Sequence, residues 1–129
     1  GCSERNAMND TWIFDPDTEE WLDISARVNR DTAPKRCFAH TMVNLNGRLI
    51  VHGGTDAWTI LQDVYELDTT KGNMNTWKWS KIIDNGQIPE PRYFHVMAAL
   101  RNSVLIWGGK GSITHPKRCY NEYQEREER

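Results

Sequence analysis

The chain has 129 residues, 38% hydrophobic and 26% charged, with a formal net charge of −2. This is an ordinary soluble composition. A pI near 6.1 with scattered Lys and Arg gives nucleic-acid binding no support, and no apolar run approaches the ~20 residues that span a membrane.

Residues 1–9 carry no periodicity and lack the apolar core of a signal peptide, so they read as a lead-in. Position 1 is not Met, and the natural start is expected upstream. A hairpin follows over residues 10–26. Thr11–Asp15 alternates aromatic and β-branched types as a strand, Pro16 and Asp17 supply the turn, and Trp21–Ser25 returns. A polar connector, Arg27–Pro34, leads into a four-stranded unit over residues 34–84. Its strands are predicted at Phe38–Leu45, Arg48–Gly53, Gln62–Asp68 and Trp77–Ile83, with Asn46-Gly47 as a favoured two-residue hairpin turn. The run Leu49-Ile50-Val51 is apolar on both faces, as in a sheet sandwiched between two others. After a Gly/Pro connector, residues 89–111 hold one more hairpin, Phe94–Leu100 and Ser103–Gly108. The polar tail over 112–129 pairs Glu122 with Arg126 and Glu125 with Arg129, and is expected as a frayed helix or a disordered end.

Laid about 55 residues apart, His40 falls on His95, Met42 on Met97, Leu45 on Leu100 and Gly53-Gly54 on Gly108-Gly109. A second echo, at about 53, puts Asp10 on Asp63, Trp12 on Tyr65, Phe14 on Leu67 and Asp15 on Asp68. One unit therefore recurs: an Arg shortly before a His, an apolar strand closing in Gly-Gly, an Asp-x-aromatic-x-x-Asp strand, and a Trp opening the next. Over residues 9–111 this pattern resembles the kelch repeat of β-propellers. The resemblance implies an all-β fold of antiparallel four-stranded blades, here half a blade, a whole blade and another half. Such a blade buries both faces against neighbours and is not stable alone. Self-association, or further blades outside the chain, is the expectation.

Most conspicuous residues then have structural readings. Trp21 and either Trp77 or Trp79 fill the gap between blades, the spacing from Thr18 and Thr76 favouring Trp79. Glycine at 53, 54, 108 and 109 permits positive φ or close backbone approach. Tyr65 is a core aromatic of the third strand, and Asp63 and Asp68 cap strand ends. His40 and His95 read as separate structural histidines. His40, His52, His95 and His115 are spread without ligand spacing, so no metal or cofactor is predicted. Cys2, Cys37 and Cys119 are odd in number and lack a zinc spacing, which predicts reduced thiols and a cytoplasmic setting.

Strand alternation brings the loop after each Gly-Gly and the loop before each first strand to one side of the blade. That side collects Arg36, Phe38, Asp56 and Trp58 from the complete unit, and Arg92, Tyr93 and Lys110 from the last one. Arg92 sits three residues before its His, as the kelch pattern expects, whereas Arg36 sits four before His40; Arg92 either meets a partner or hydrogen-bonds the backbone of the next blade, with stability its only role. Because corresponding loops of kelch proteins often hold a partner's peptide, the resemblance implies a protein-interaction module, an adaptor or scaffold, with a mixed Arg/aromatic surface for a partly acidic segment. Enzymes such as galactose oxidase resemble the same repeat, but a copper-radical site needs His, Tyr and a Cys–Tyr pair, and no such cluster is written here. Catalysis is then expected only if its residues lie outside the chain; the remaining alternative is a fragment with no function of its own.

Overall fold

A computed structural model describes residues 1–3 and 6–111, so the expected tail over 112–129 lies outside the described residues. Three antiparallel sheets follow one another along the chain. The first pairs β1 (Trp12–Asp15) with β2 (Glu20–Asp23). The second has the order β3 (Thr41–Leu45), β4 (Arg48–His52), β5 (Val64–Asp68) and β6 (Trp79–Ile82). The third pairs β7 (Val96–Leu100) with β8 (Ser103–Trp107). The arrangement of two, four and two strands is the expected one. Each strand is shorter than predicted by up to three residues at an end, because the flanking segments are tied as single bridges, such as Phe38 to Thr55 and Tyr93 to Lys110.

The register confirms the repeat. Phe14 opposes Trp21 as Leu67 opposes Trp79, and Thr41 opposes His52 as Val96 opposes Trp107. Asn46 and Gly47 both take positive φ, 53° and 83°, which suits their turn to the twist of the strands it joins.

The main core lies between the first and second sheets: Ile24, Val28, Val51, Leu67 and Trp79, flanked by Ile13, Leu49, Tyr65 and Trp77. Part of it comes from α1 (Ser25–Val28), one turn of helix that begins at the end of the strand expected over Trp21–Ser25 and runs into the segment read as a polar connector. Ile24 and Val28 stand four apart and so share a face, at 1% and 0% exposure. Trp79, 5% exposed, reaches across so that its indole N–H donates to Thr11 Oγ1 at 3.4 Å. Trp21 is 66% exposed and packs on Phe14, ring centroids 4.8 Å apart, with no sheet among the described residues covering it. It occupies the place of Trp79, but on the face of the first sheet turned away from the second.

The other face of the second sheet looks toward the third. Ile50, His52, Val64 and Ile82 share a cleft with Met97, Val104 and Ile106. Ile50 and Val51, neighbours on β4, are thus buried on opposite faces, as the continuous apolar run predicted. Backbone bonds stitch this seam: Gly54 N–H donates to Arg92 O, and Phe94 N–H to Ala39 O, each at 2.9 Å.

Candidate functional site

The loops expected to bind are built with different degrees of freedom. After Gly53-Gly54 the chain turns through residues 55–59. Thr55, 1% exposed, donates its hydroxyl to Thr59 O at 2.7 Å and accepts the Ala57 N–H at 3.0 Å. Asp56 Oδ1 accepts the N–H groups of Trp58 and Thr59 at 2.8 and 2.7 Å, and its Oδ2 accepts the Thr59 hydroxyl at 3.1 Å. Partial burial works against the Asp56 carboxylate, but the Thr59 and Trp58 bonds and the charge of Lys35 outweigh it and lower its pKa. Every short polar side chain of this loop is spent on holding the loop. The indole of Trp58 is left 87% exposed at its tip.

Beside it, Lys35, Arg36 and Asp56 line a shallow cleft with Asn6 and Ala7. Arg36 and Lys35 are both exposed, and Phe38 is half-buried. The structure therefore gathers Arg36 and Asp56 in one cleft, with Trp58 on the same loop as Asp56.

The residues assigned from the last unit behave differently. Arg92 is clamped: its Nε donates to Glu90 O and its Nη1 to Gly108 O, both at 3.1 Å. Tyr93 is 3% exposed and is not available to a partner. The register explains both. The paired bridges Phe38–Thr55 and Tyr93–Lys110 make Tyr93 the counterpart of Phe38, so Arg92 corresponds to Cys37 rather than to Arg36. Arg92 and Arg36 are not equivalent, and only Arg36 is loose. Lys110 is exposed, its backbone paired in both directions with Tyr93.

Phe94 was not singled out by the sequence reading. It takes φ 56° and is 60% exposed, while its counterpart Ala39 takes the same φ. A bulky side chain rarely adopts this conformation. The turn of the backbone there sends Tyr93 inward and Phe94 outward, with ring centroids 5.1 Å apart.

The histidines also require correction. Thr41 Oγ1 and His52 Nδ1 both approach His95 Nε2, at 2.8 and 3.1 Å, with His52 and His95 1% and 4% exposed. Two histidines read as scattered thus meet at the seam between the second and third sheets. Burial, then the nearby His95 and Arg92, push His52 down to about 4 from 6.5. Burial followed by Arg92 lowers His95, and burial lowers His40. The pair is neutral at pH 7. Among the described residues no three of His, Cys, Asp and Glu converge as metal ligands.

The remaining residues sit within the frame. Asp68 Oδ1 accepts the Thr70 N–H at 2.9 Å, and Asp63 pairs with Lys81 at 3.0 Å. A Cβ on Gly53 would lie 2.5 Å from Arg92 O and 2.7 Å from His95 Cε1, so this glycine is where the next unit seats. Cys2 and Cys37 are free thiols, the first exposed and the second buried. No helix among the described residues is long and apolar enough to cross a membrane.

The chain matches the family described as the KLHDC2/KLHL20/DRC7 Kelch-repeats domain over residues 1–125. It is 31% identical over 109 residues to Kelch domain-containing protein 10 of Rattus norvegicus, covering 82% of this chain and 25% of that protein. Over 101 residues it is 32% identical to a probable serine/threonine-protein kinase of Dictyostelium discoideum, covering 77% of this chain and 7% of the kinase. It is 30% identical to acyl-CoA-binding domain-containing protein 5 of Arabidopsis thaliana, covering 83% of this chain and 15% of that protein. The chain thus spans a quarter or less of these relatives. With sheets, register and Gly-Gly seams in agreement with the match, the chain belongs to the Kelch-repeat family.

Proposed function

We propose that this chain is a protein-interaction segment whose binding surface is the loop side of the complete unit, centred on Trp58 and Arg36, and that it takes a partly acidic peptide. The observation that carries the reading is the state of Trp58: 87% exposed, on a loop whose own polar groups fix its shape. Tryptophan and arginine are the residue types that most often dominate interface energies. A loop already ordered loses little conformational freedom on binding. Lys35 and Arg36 supply exposed positive charge beside an Asp56 whose carboxylate is occupied by N–H donors, so the cleft favours an incoming carboxylate.

Membership in a family of interaction modules supports the general role; the acidic character of the ligand rests on the cleft alone. The same reading makes the chain a binding element rather than a catalyst. Selection of displayed random peptides on the immobilised 129-residue chain tests it. Enriched peptides are expected to carry Asp or Glu, and their capture to fall with added salt. Enrichment of basic peptides, or of none that depend on Trp58, would overturn the reading.

A further inference from the structure

The chain contains two Asn-Gly pairs, Asn46-Gly47 and Asn85-Gly86. In such a pair the backbone nitrogen of the glycine can attack the side-chain carbonyl carbon of the asparagine, because no Cβ on the glycine obstructs the approach. The two pairs share this chemistry and differ in how the fold holds them.

Asn46-Gly47 is the turn between β3 and β4, and the atoms the reaction needs are engaged there. Gly47 N–H donates to Asn44 Oδ1 at 2.8 Å, so the attacking nitrogen is occupied. Asn46 Nδ2, the leaving group, donates to Asn102 Oδ1 at 3.4 Å. Gly47 O accepts the Thr69 N–H at 3.0 Å and the Thr69 hydroxyl at 2.6 Å, which anchors the turn to the segment after β5.

Asn85-Gly86 lies in the connector between β6 and β7, where residues 83–90 are all exposed. Among the described residues, Asn85, Gly86 and Gln87 make no hydrogen bond. The connector is tied on either side of them: Ile82 opposes Val64, and Pro89 O accepts Gln62 Nε2 at 2.8 Å. Gly86 takes φ 99°, and a Cβ there would meet nothing within 4 Å. At the offset of His40 to His95, the counterparts of Asn85 and Gly86 are Arg30 and Asp31. Both are exposed, although the sheets on either side of them are described, so an outward setting belongs to the position. Exposed backbone without hydrogen bonds rearranges at little free-energy cost, which lets the side chain reach the attacking geometry.

We propose that Asn85 is a self-modifying site: it deamidates through a cyclic imide to aspartate and isoaspartate, while Asn46 is protected by its turn. Gly86 N attacks Asn85 Cγ; the N–Cγ bond forms, the Cγ–Nδ2 bond breaks, and ammonia leaves with the proton from Gly86 N. Water then opens the imide at one of its two carbonyls. Opening at Cγ gives aspartate, and opening at the main-chain carbonyl leaves Cγ in the backbone and gives isoaspartate. Either product carries a carboxylate in place of an amide, one more negative charge on a chain of net charge −2. Water is the only co-reactant. Isoaspartate lengthens the main chain by one carbon, and the stretch between Ile82 and Pro89 takes up that length without disturbing the pairing of β6. The modification therefore accumulates on folded chain. An isoaspartate carboxylate in an exposed, irregular segment is open to esterification, so the reaction class that consumes this product is methyl transfer from a sulfonium donor.

The test incubates the full-length polypeptide carrying these residues at neutral pH, natively folded and in denaturant. Cleavage after Lys and Arg places the two sites in separate peptides, residues 37–48 and 82–92, and fragment masses locate each exchange of amide for carboxyl. In the native protein Asn85 is expected to convert at least about tenfold faster than Asn46, the scale on which misplaced reacting atoms slow a step. In denaturant the two rates are expected to converge. Labelled methyl transfer from S-adenosylmethionine by an isoaspartyl methyltransferase is expected to mark peptide 82–92, and the mark to vanish in Asn85→Gln. Four results would overturn the proposal. They are equal rates in the native protein, a difference that persists unchanged in denaturant, aspartate without isoaspartate at position 85, and a mark that survives Asn85→Gln.

Discussion

His52 Nδ1 stands 3.1 Å from His95 Nε2 across the seam between the second and third sheets, and Thr41 Oγ1 stands 2.8 Å from the same nitrogen. One of the two ring nitrogens must carry the proton that the other accepts, which two neutral rings satisfy. Two cations there would place donor against donor in a site almost without water. Among the described residues His52 Nε2 and His95 Nδ1 are buried without a partner, so an added proton gains no new bond.

Acid should therefore open this seam before it affects the carboxylates. The folded-state pKa of His52, about 4, lies below its ordinary 6.5, so the folded state binds fewer protons than the unfolded state between those values. The contribution is fully present above pH 6.5 and is lost as pH falls toward 4. It amounts to about 3 kcal/mol at most, at 1.36 kcal/mol per unit. His40 and His95 shift in the same direction. Asp56 and Asp68, lowered from 3.8, lose their contribution only below that value. Denaturant melts at pH 7 and pH 4.5 should differ by 2 kcal/mol or more, and His52→Gln should narrow the gap. Equal stability at both pH values contradicts the buried pair.

Gly53→Ala should destabilise by about 2 kcal/mol or more, because the position combines φ 71° with a Cβ 2.5 Å from Arg92 O. Gly108→Ala, at a similar φ of 73° but with nothing within 4 Å, carries only the conformational cost of about 1 kcal/mol. The ranking is checked by thermal melts of both variants in dilute, monomeric chain. Equal losses would mean that Gly53 does not seat the third sheet.

Trp79→Ala should cost about 3–5 kcal/mol, as large-to-small core changes do. Trp21→Ala in the same monomeric chain should cost about 1 kcal/mol, the worth of its contact with Phe14. If Trp21 proves the costlier, the core does not lie between the first and second sheets.

Arg92→Ala should lower the melting temperature without weakening capture of a selected peptide by the folded fraction. Its guanidinium holds Gly108 O and Glu90 O, so its removal loosens the seam between residues 90–92 and Gly108 rather than a binding surface. Paired melting and capture measurements decide it. Lost capture at unchanged stability would return Arg92 to the binding face.

Strand order and register were readable because the repeat states them twice. His40 on His95 and Gly53-Gly54 on Gly108-Gly109 align one half of the unit, and Asp15 on Asp68 aligns the other. Asn46-Gly47 marked its turn because few other pairs take positive φ at both positions. The helix at 25–28 escaped notice because one turn offers only Ile24 and Val28 as a periodic signal. The inward turn of Tyr93 was hidden for a different reason. It depends on positive φ at Phe94, which side-chain identity argues against. The His52–His95 contact joins consecutive units and follows from how sheets stack, which spacing within one unit does not encode. Of the proposed binding residues, the loop placement of Arg36, Asp56 and Trp58 was readable from the repeat, and their role in binding is a proposal. Arg92 makes backbone bonds of the kind its structural alternative expected, and one residue of offset separates the two Arg–His pairs.

The most direct test of the account is the affinity of a selected acidic peptide for four forms of the chain: unsubstituted, Trp58→Ala, Arg36→Ala and Trp107→Ala, each checked for an unchanged melting temperature. Trp58 and Arg36 belong to the loop side, whereas Trp107 lies on the open face of the third sheet. The account predicts about thirtyfold weaker binding for Trp58→Ala and about tenfold for Arg36→Ala, the scale of interface hot spots, with Trp107→Ala unchanged. Binding that survives Trp58→Ala and is lost in Trp107→Ala would contradict it.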